Sequence, residues 1–259
     1  YQFTPWRKTP KVCLDQLKRK LVDVTIQSME RVVEQASNRM IAVPLSAGLD
    51  SRLVASCLKE IGATNVICYS YGPRDNFESK VARQISAKLG FEWVFVELTP
   101  SIQRKFWTTK IPEKFASQSN DGLSAPVYHD LLVTHTLLER RKITPDTLVV
   151  NGNSGDFITG NHIPLGSESA VVARSQEDVN LLLDLMIKKH YSMWEELQTT
   201  ENLDAIRSLL LHELNFVKSF DGKKSIADLH EYLEMTNRQI KWVIKRQKIY
   251  DFFSLGWAL

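Results

Sequence analysis

The sequence predicts an α/β fold: a parallel sheet with helices on both faces, followed by an all-helical C-terminal part. Three observations lead there. Short apolar runs of strand length alternate with amphipathic stretches of helical period. The connections between them are short, as in parallel sheets with crossover helices. The alternation stops near Gln176, after which only helical periodicity remains.

Each element has its own signal. From Val12 to Asn38, Leu14, Leu17, Leu21, Val24, Met29 and Val32 form one stripe with charges between them, which predicts a helix. Ile41 to Leu45 is apolar throughout and predicts a buried strand. It runs straight into Ser46-Ala47-Gly48-Leu49-Asp50-Ser51 and then into a helix carrying Leu53, Val54, Cys57, Leu58 and Ile61. Gly62 closes that helix, and Val66 to Tyr71 predicts a second strand. A turn-rich loop at Gly72 to Asn76 precedes a helix from Glu78 to Leu89, and Glu92 to Glu97 predicts a third strand. Ala125 to Arg140 reads as helix, and Thr147 to Val150 as a short strand entering Asn151-Gly152-Asn153-Ser154-Gly155-Asp156. No strand is expected beyond Gln176. The chain thus divides into a junction and helix at 1–40, an α/β core at 41–165 and a helical part at 166–259 that reads as truncated.

Composition narrows the function class. With 43 % hydrophobic and 24 % charged residues among 259, a core of useful size is available, and neither disorder nor a metal is needed to explain folding. A formal net charge of +3 is too small to indicate nucleic acid, and no apolar run has the length of a membrane span. Three cysteines, Cys13, Cys57 and Cys68, lack metal-type spacing; Cys57 and Cys68 read as reduced core residues, so a cytoplasmic setting is expected. Tyr1 and Leu259 both read as cut ends.

The loop at 46–51 carries the chemistry. In a parallel sheet, ligands bind beyond the carboxyl ends of the strands, where helix N-termini offer N–H groups to anions. Ser46, Ala47 and Gly48 are small enough for close phosphate approach, and the hydroxyls of Ser46 and Ser51 are short donors. Asp50 suits a phosphate only through a divalent cation, and carboxylate plus phosphate oxygens make an ordinary Mg²⁺ shell. The plainer reading is a helix cap by Asp50 or Ser51. Arg52 reads as a phosphate contact or a surface charge.

Pro44 to Ser51 resembles the pyrophosphate-binding loop of the N-type ATP pyrophosphatases, and within them the synthetase domain of asparagine synthetases. The resemblance continues through Tyr69-Ser70-Tyr71-Gly72, Glu78 and the Ala82 to Gly90 helix, and reaches a second motif at Asn151 to Asp156. It implies an adenine nucleotide alpha-hydrolase-like fold with ATP and Mg²⁺ as the bound groups. Ser46, Gly48, Asp50 and Ser51 would face pyrophosphate oxygens, Asp50 and Asp156 would hold the metal, and Leu45, Tyr69, Ser70 and Gly152 would line the adenylate pocket. The implied activity is that of an AMP-forming carbon–nitrogen ligase, which adenylates a carboxylate and passes it to ammonia or an amine. The ammonia source stays open: free ammonia, a glutaminase domain or subunit, or an amine on a second substrate.

Departures from the pattern matter as much. The family's Gly-Gly is Ala47-Gly48 here, its Glu is Asn153, and the acid after its metal-binding Asp is Phe157. Asn is no general base, so asparagine formation itself is placed in doubt. A catalytic lysine of the family finds no match before Leu259. Among Arg238, Lys241, Lys245, Arg246 and Lys248, one or two cations could point into the site, the rest forming a solvated face. His162 reads as a substrate or second-layer metal contact, or as a loop cap. Asn120 or Asp121 reads as the N-cap of the next helix or, for Asp121, as a substrate contact. The competing functions are a non-catalytic ATP-binding module and a related enzyme acting on tRNA.

Overall fold

The structure, a computed structural model, describes residues 13–120, 122, 127–160, 162–163, 176–218 and 225–258, with backbone alone at 215–218. The described residues form two compact units, one from 13–155 with 242–258 and the other from 156–241. Asp121 lies outside the described residues, as does the segment 1–12.

The first unit starts with α1 (Leu14–Ala36), whose Met29 and Ala36 are buried while Leu14, Leu17, Leu21 and Val24 are exposed. Then come β1 (Ile41–Pro44), α2 (Leu49–Glu60), β2 (Val66–Gly72), α3 (Phe77–Leu89) and β3 (Glu92–Glu97). Three helices follow, α4 (Pro100–Trp107), α5 (Ile111–Ser119) and α6 (Leu131–Glu139), before β4 (Leu148–Val150). The five strands are all parallel, in the order β3-β2-β1-β4-β5, where β5 is Gly256–Ala258.

Strand alternation sorts the core into two faces. Ala42, Ile67, Tyr69, Val94, Val96 and Val149 pack with Phe106, Phe115, Leu131, Val133, Ile249 and Tyr250. Ile41, Val43, Val66, Cys68, Leu148 and Val150 pack on the other side with Met29, Ala55, Leu58 and Ala82. Helices therefore cover both faces, as the unbroken apolar strands require. Cys57 and Cys68 are buried free thiols, and burial pushes Cys68 up to about 11, so it packs as a small apolar group.

Three expectations change. The helix expected from Ala125 starts at Leu131, because Asp130 faces the core and the chain turns at 129–130 before the helix begins. Asn120 ends α5 instead of capping the next helix: Ser117 and Ser119 lie in α5, and Asn120 Oδ1 accepts the Gly122 N–H at 3.3 Å. A strand also forms after Gln176. Gly256–Ala258 pairs with β4 through Leu148↔Gly256, Val149↔Trp257 and Val150↔Ala258, and three residues are too few for a periodic signal.

The second unit is helical. It contains α8 (Gln176–His190) and α9 (Thr200–Lys218), then α10 (Ile226–Leu233), which Ser225 and Asp228 start with a reciprocal capping box. A short helix, α7 (Gly155–Thr159), precedes them, and a π-helix (Glu234–Ile244) follows. Leu182, Leu183, Met186, Leu210, Leu214, Ile226 and Leu233 form its core. None of the described helices is long and apolar enough to cross a membrane.

That core has a polar end. Glu234 is fully buried, with Arg238 Nη1 at 3.0 Å and His190 Nε2 at 2.9 Å. Burial pushes its carboxyl up, but these two partners outweigh it and hold Glu234 down at about 2. His230 is also fully buried; burial, then the Lys189 charge, push it down to about 4. Between pH 6.5 and 4 an unfolded chain protonates this histidine while the folded one does not, so acid removes stability in that window. Urea unfolding between pH 7.5 and 4 is expected to show a falling midpoint, and His230→Leu should flatten part of that slope. An unchanged slope would refute the assignment.

Candidate active site

The strand order reverses at β1: β2 and β3 lie on one side of it, β4 and β5 on the other. The loops after β1 and β4 leave the carboxyl ends of these neighbouring strands side by side there, which opens a crevice. A cavity of ≈ 360 Å³ occupies it, lined by Pro44, Leu45, Ser46, Gly48, Asp50 and Ser51 from the first loop. Asn151, Gly152 and Asn153 line it from the second, and Tyr69, Ser70, Tyr71, Glu78, Asp130, Arg246 and Tyr250 complete it.

The first loop is ordered by its own hydroxyls. Ser46 N–H donates to Ser51 Oγ at 3.1 Å, Gly48 N–H donates to Ser46 Oγ at 3.0 Å, and the two hydroxyls lie 3.1 Å apart. Ala47 N–H donates to the Glu78 carboxylate at 2.9 Å, and Arg52 Nη2 donates to the Ala47 carbonyl at 2.8 Å. Arg52 thus braces the back of the loop.

The second loop lies against the first with no room to spare. A Cβ on Gly152 would stand 2.7 Å from Asp50 Cβ and 2.9 Å from Ser51 N; one on Gly155 would stand 2.5 Å from Asp50 Cγ. Neither glycine has positive φ, so space, not backbone freedom, demands them. Asn151 shapes the turn, its Oδ1 accepting the Asn153 N–H at 3.1 Å, while its Nδ2 donates to Gln247 Oε1 at 2.9 Å.

The far wall is a buried polar cluster. Tyr71 donates to Asp130 Oδ1 at 2.6 Å, and Arg246 Nη2 donates to Oδ2 at 3.1 Å. His129 Nδ1 sits 3.3 Å from both the Tyr71 hydroxyl and Asp130 Oδ1. Burial, reinforced by the Asp130 charge, pushes the Tyr71 phenol far up, so it stays a donor. Burial opposes the Arg246 charge, but Asp130 more than compensates. Tyr69 and Tyr250 hydrogen-bond each other and are raised chiefly by burial.

The structure brings Leu45, Ser46, Gly48, Asp50, Ser51, Tyr69, Ser70 and Gly152 to one cavity, with Ala47 in the same loop. Leu45 and Tyr69 are also core residues. The Ser70 hydroxyl donates to Leu45 O at 2.7 Å and accepts from Trp93 Nε1 at 3.1 Å, so it ties β2 to the end of β1 and to β3. Asp156 stands in the first turn of α7. His162 Nδ1 donates to the Asp156 carbonyl at 3.1 Å, and its ring stacks on Phe157 at 5.0 Å, which is the loop-capping role. Of the C-terminal cations, Arg246 reaches the cavity, while Arg238 pairs with Glu234. Glu78, Tyr71, Asp130, Asn151 and Tyr250 join the cavity without a local sequence signal for such a role, since contacts such as Tyr71–Asp130, Asn151–Gln247 and Asp130–Arg246 span 59, 96 and 116 residues.

The asparagine synthase family model matches residues 25–105. That stretch contains β1, the first loop, α2, β2, α3 and β3. Residues 25–105 are thus similar to that family, over less than half of the chain. No curated protein matches the sequence. Among solved structures, the chain is similar to an NH3-dependent NAD synthetase from Campylobacter jejuni (17 % identity, 88 % of this chain and 95 % of that chain, TM-score 0.38). It is also similar to an NMN synthetase from Francisella tularensis (14 %, 88 % and 95 %, TM-score 0.39). A third is a predicted subunit of tRNA methyltransferase from Methanocaldococcus jannaschii (16 %, 74 % and 92 %, TM-score 0.26). The family match agrees with a synthetase-like chain in general and leaves the substrate open.

Removing Asp130 would strand the Arg246 charge in a partly buried wall. Asp130→Asn is expected to cost about 3 kcal/mol in urea unfolding, and Tyr71→Phe about 1 kcal/mol. Equal small losses from both would show that the pair is not a buried anchor.

Proposed function

We propose that this chain is the nucleotide-activating part of an AMP-forming ligase, which adenylates a carboxylate and transfers it to ammonia or an amine. The observation that carries this reading is the convergence of the Ser46–Ser51 loop and of Asn151, Gly152 and Asn153 on one cavity at the switch point of a parallel sheet.

The residues fit a nucleotide. The glycine cradle and the hydroxyls of Ser46 and Ser51 suit phosphate oxygens, with α2 directing its positive end toward them. Tyr69, Tyr71 and Tyr250 offer the apolar surface a base or acyl group needs. They also fit Mg²⁺: Asp50 and Glu78 are hard oxygen donors at the cavity wall. Among the described residues, no three His, Cys, Asp or Glu side chains are grouped as metal ligands. A magnesium ion would then take most of its oxygens from phosphate and water, as it commonly does. When bound, it would neutralise charge on the departing pyrophosphate. Asp156 is proposed as a second carboxylate for it, on the resemblance of the second motif alone.

In this reading, a carboxylate oxygen attacks the α-phosphorus of ATP, the bond to pyrophosphate breaks, and the amine then displaces AMP. The chain's contribution is to hold the phosphates on the loop, to exclude water, and to place the acid in line. Arg246, fixed by Asp130, is the cation on the far wall suited to an anionic part of the acceptor. Ammonia could be free or supplied by a glutaminase partner. An ATP-binding module without turnover is the second reading, favoured by Asn153 standing where the family has an acid.

ATP–pyrophosphate exchange with a panel of amino acids and sugar acids separates the two. Exchange that depends on one acid supports ligation; tight Mg-ATP binding with no exchange supports the module. Asp50→Ala should lower exchange roughly hundredfold or more with the fold retained by circular dichroism. Asp156→Ala tests the second carboxylate in the same way, and wild-type exchange would remove it from the metal site.

A further inference from the structure

The three N–H groups at the start of the phosphate loop are all engaged by the chain's own oxygens. Ser46 and Gly48 use neutral hydroxyls at 3.1 and 3.0 Å, but Ala47 uses a carboxylate, Glu78, at 2.9 Å. The middle donor of a loop suited to anions is therefore held by a built-in anion.

Glu78 reaches this place for local reasons. At the end of β2, Gly72 takes φ 132° and turns the chain; Asn76 then caps α3, its side chain accepting the Ser79 N–H at 2.8 Å. Glu78 falls in the first turn, where an acid is favoured by the helix dipole. The side chain stays exposed, but its carboxylate reaches a backbone N–H 31 residues earlier and lines the cavity.

The cavity's charge gives that contact a consequence. Its charged lining residues are Asp50, Glu78, Asp130 and Arg246, and Arg246 is paired with Asp130. Three carboxylates face one guanidinium. An uncomplexed polyphosphate entering such a wall meets like charge at close range, which weakens its binding. A divalent cation reverses the sign of the same interaction.

We propose that Glu78 is a specificity residue that makes the loop selective for metal-complexed polyphosphate over the free anion. Without ligand, its carboxylate holds the Ala47 N–H. When a magnesium–phosphate complex binds, a phosphate oxygen takes that N–H and Glu78 turns to the cation and its water shell. Free phosphate must displace the carboxylate with nothing to neutralise either. This rests on the nucleotide reading of the same site and adds the rule for its ligand's charge state.

The test is titration calorimetry of inorganic pyrophosphate and of ATP, each with excess Mg²⁺ and with EDTA, on the whole chain and on Glu78→Gln. Glutamine keeps an acceptor for Ala47 but removes the charge. The wild type should bind the magnesium complexes well and the free anions poorly. The variant should gain roughly tenfold affinity for free pyrophosphate, narrowing its ratio of magnesium to metal-free affinity. Glu78→Ala should move the same way if it remains folded by circular dichroism. An unchanged ratio in Glu78→Gln, or weaker metal-free binding as a merely structural role predicts, overturns the proposal and leaves the nucleotide reading standing. No binding by either protein under any condition overturns both.

Discussion

Parallel pairing of β1 with β4, Ile41 against Leu148 and Ala42 against Val149, is the constraint on which the candidate site depends. The two strands are about a hundred residues apart in the chain, yet their carboxyl ends must emerge side by side. The loops that follow them then compete for one small volume. Gly152 and Gly155 resolve that competition by having no Cβ where Asp50 and Ser51 already stand. The contact also confines the backbone of both loops, which pre-organises donors for a ligand without help from the ligand itself.

The cavity's polar wall answers a different problem. Tyr71, Asp130 and Arg246 place charge where apolar packing is otherwise continuous, and charge there is tolerable only when each group is paired. Their pairing also ties the end of the chain to the sheet, since Arg246 and Gln247 reach Asp130 and Asn151 from just before α11 (Lys248–Phe252). Tyr250 and Leu255 then enter the same core face as β1 and β2 residues, and β5 closes the sheet edge beside β4. The C-terminal run is thereby structural and site-forming at once.

The helical unit follows another balance. Leucines and Met186 supply an apolar interior, and Glu234, His190 and Arg238 make a compact ionic group at its polar end. A buried neutral His230 beside them adds no favourable charge interaction at neutral pH and becomes a liability in acid. Lys189, which donates to the His162 carbonyl, is itself pushed down by burial.

The sequence by itself determined the alternation of strands and helices through Glu97, the helical character of 176–218, and the loop at 46–51. Those signals are periodic or local: apolar runs, a glycine after a helix, small residues between strand and helix. Leu45, Tyr69, Ser70 and Gly152 were legible as neighbours of that loop only through the resemblance of their motifs to the asparagine synthetase pattern. Only the tertiary structure decided that Glu78 would face Ala47, that Arg246 would be the cation in the cleft, and that Gly256–Ala258 would join the sheet. Each of these depends on partners far away in the chain, and a three-residue strand or one arginine in a basic run has no periodicity to read. Pairing, space and charge at the switch point supplied what composition and spacing could not.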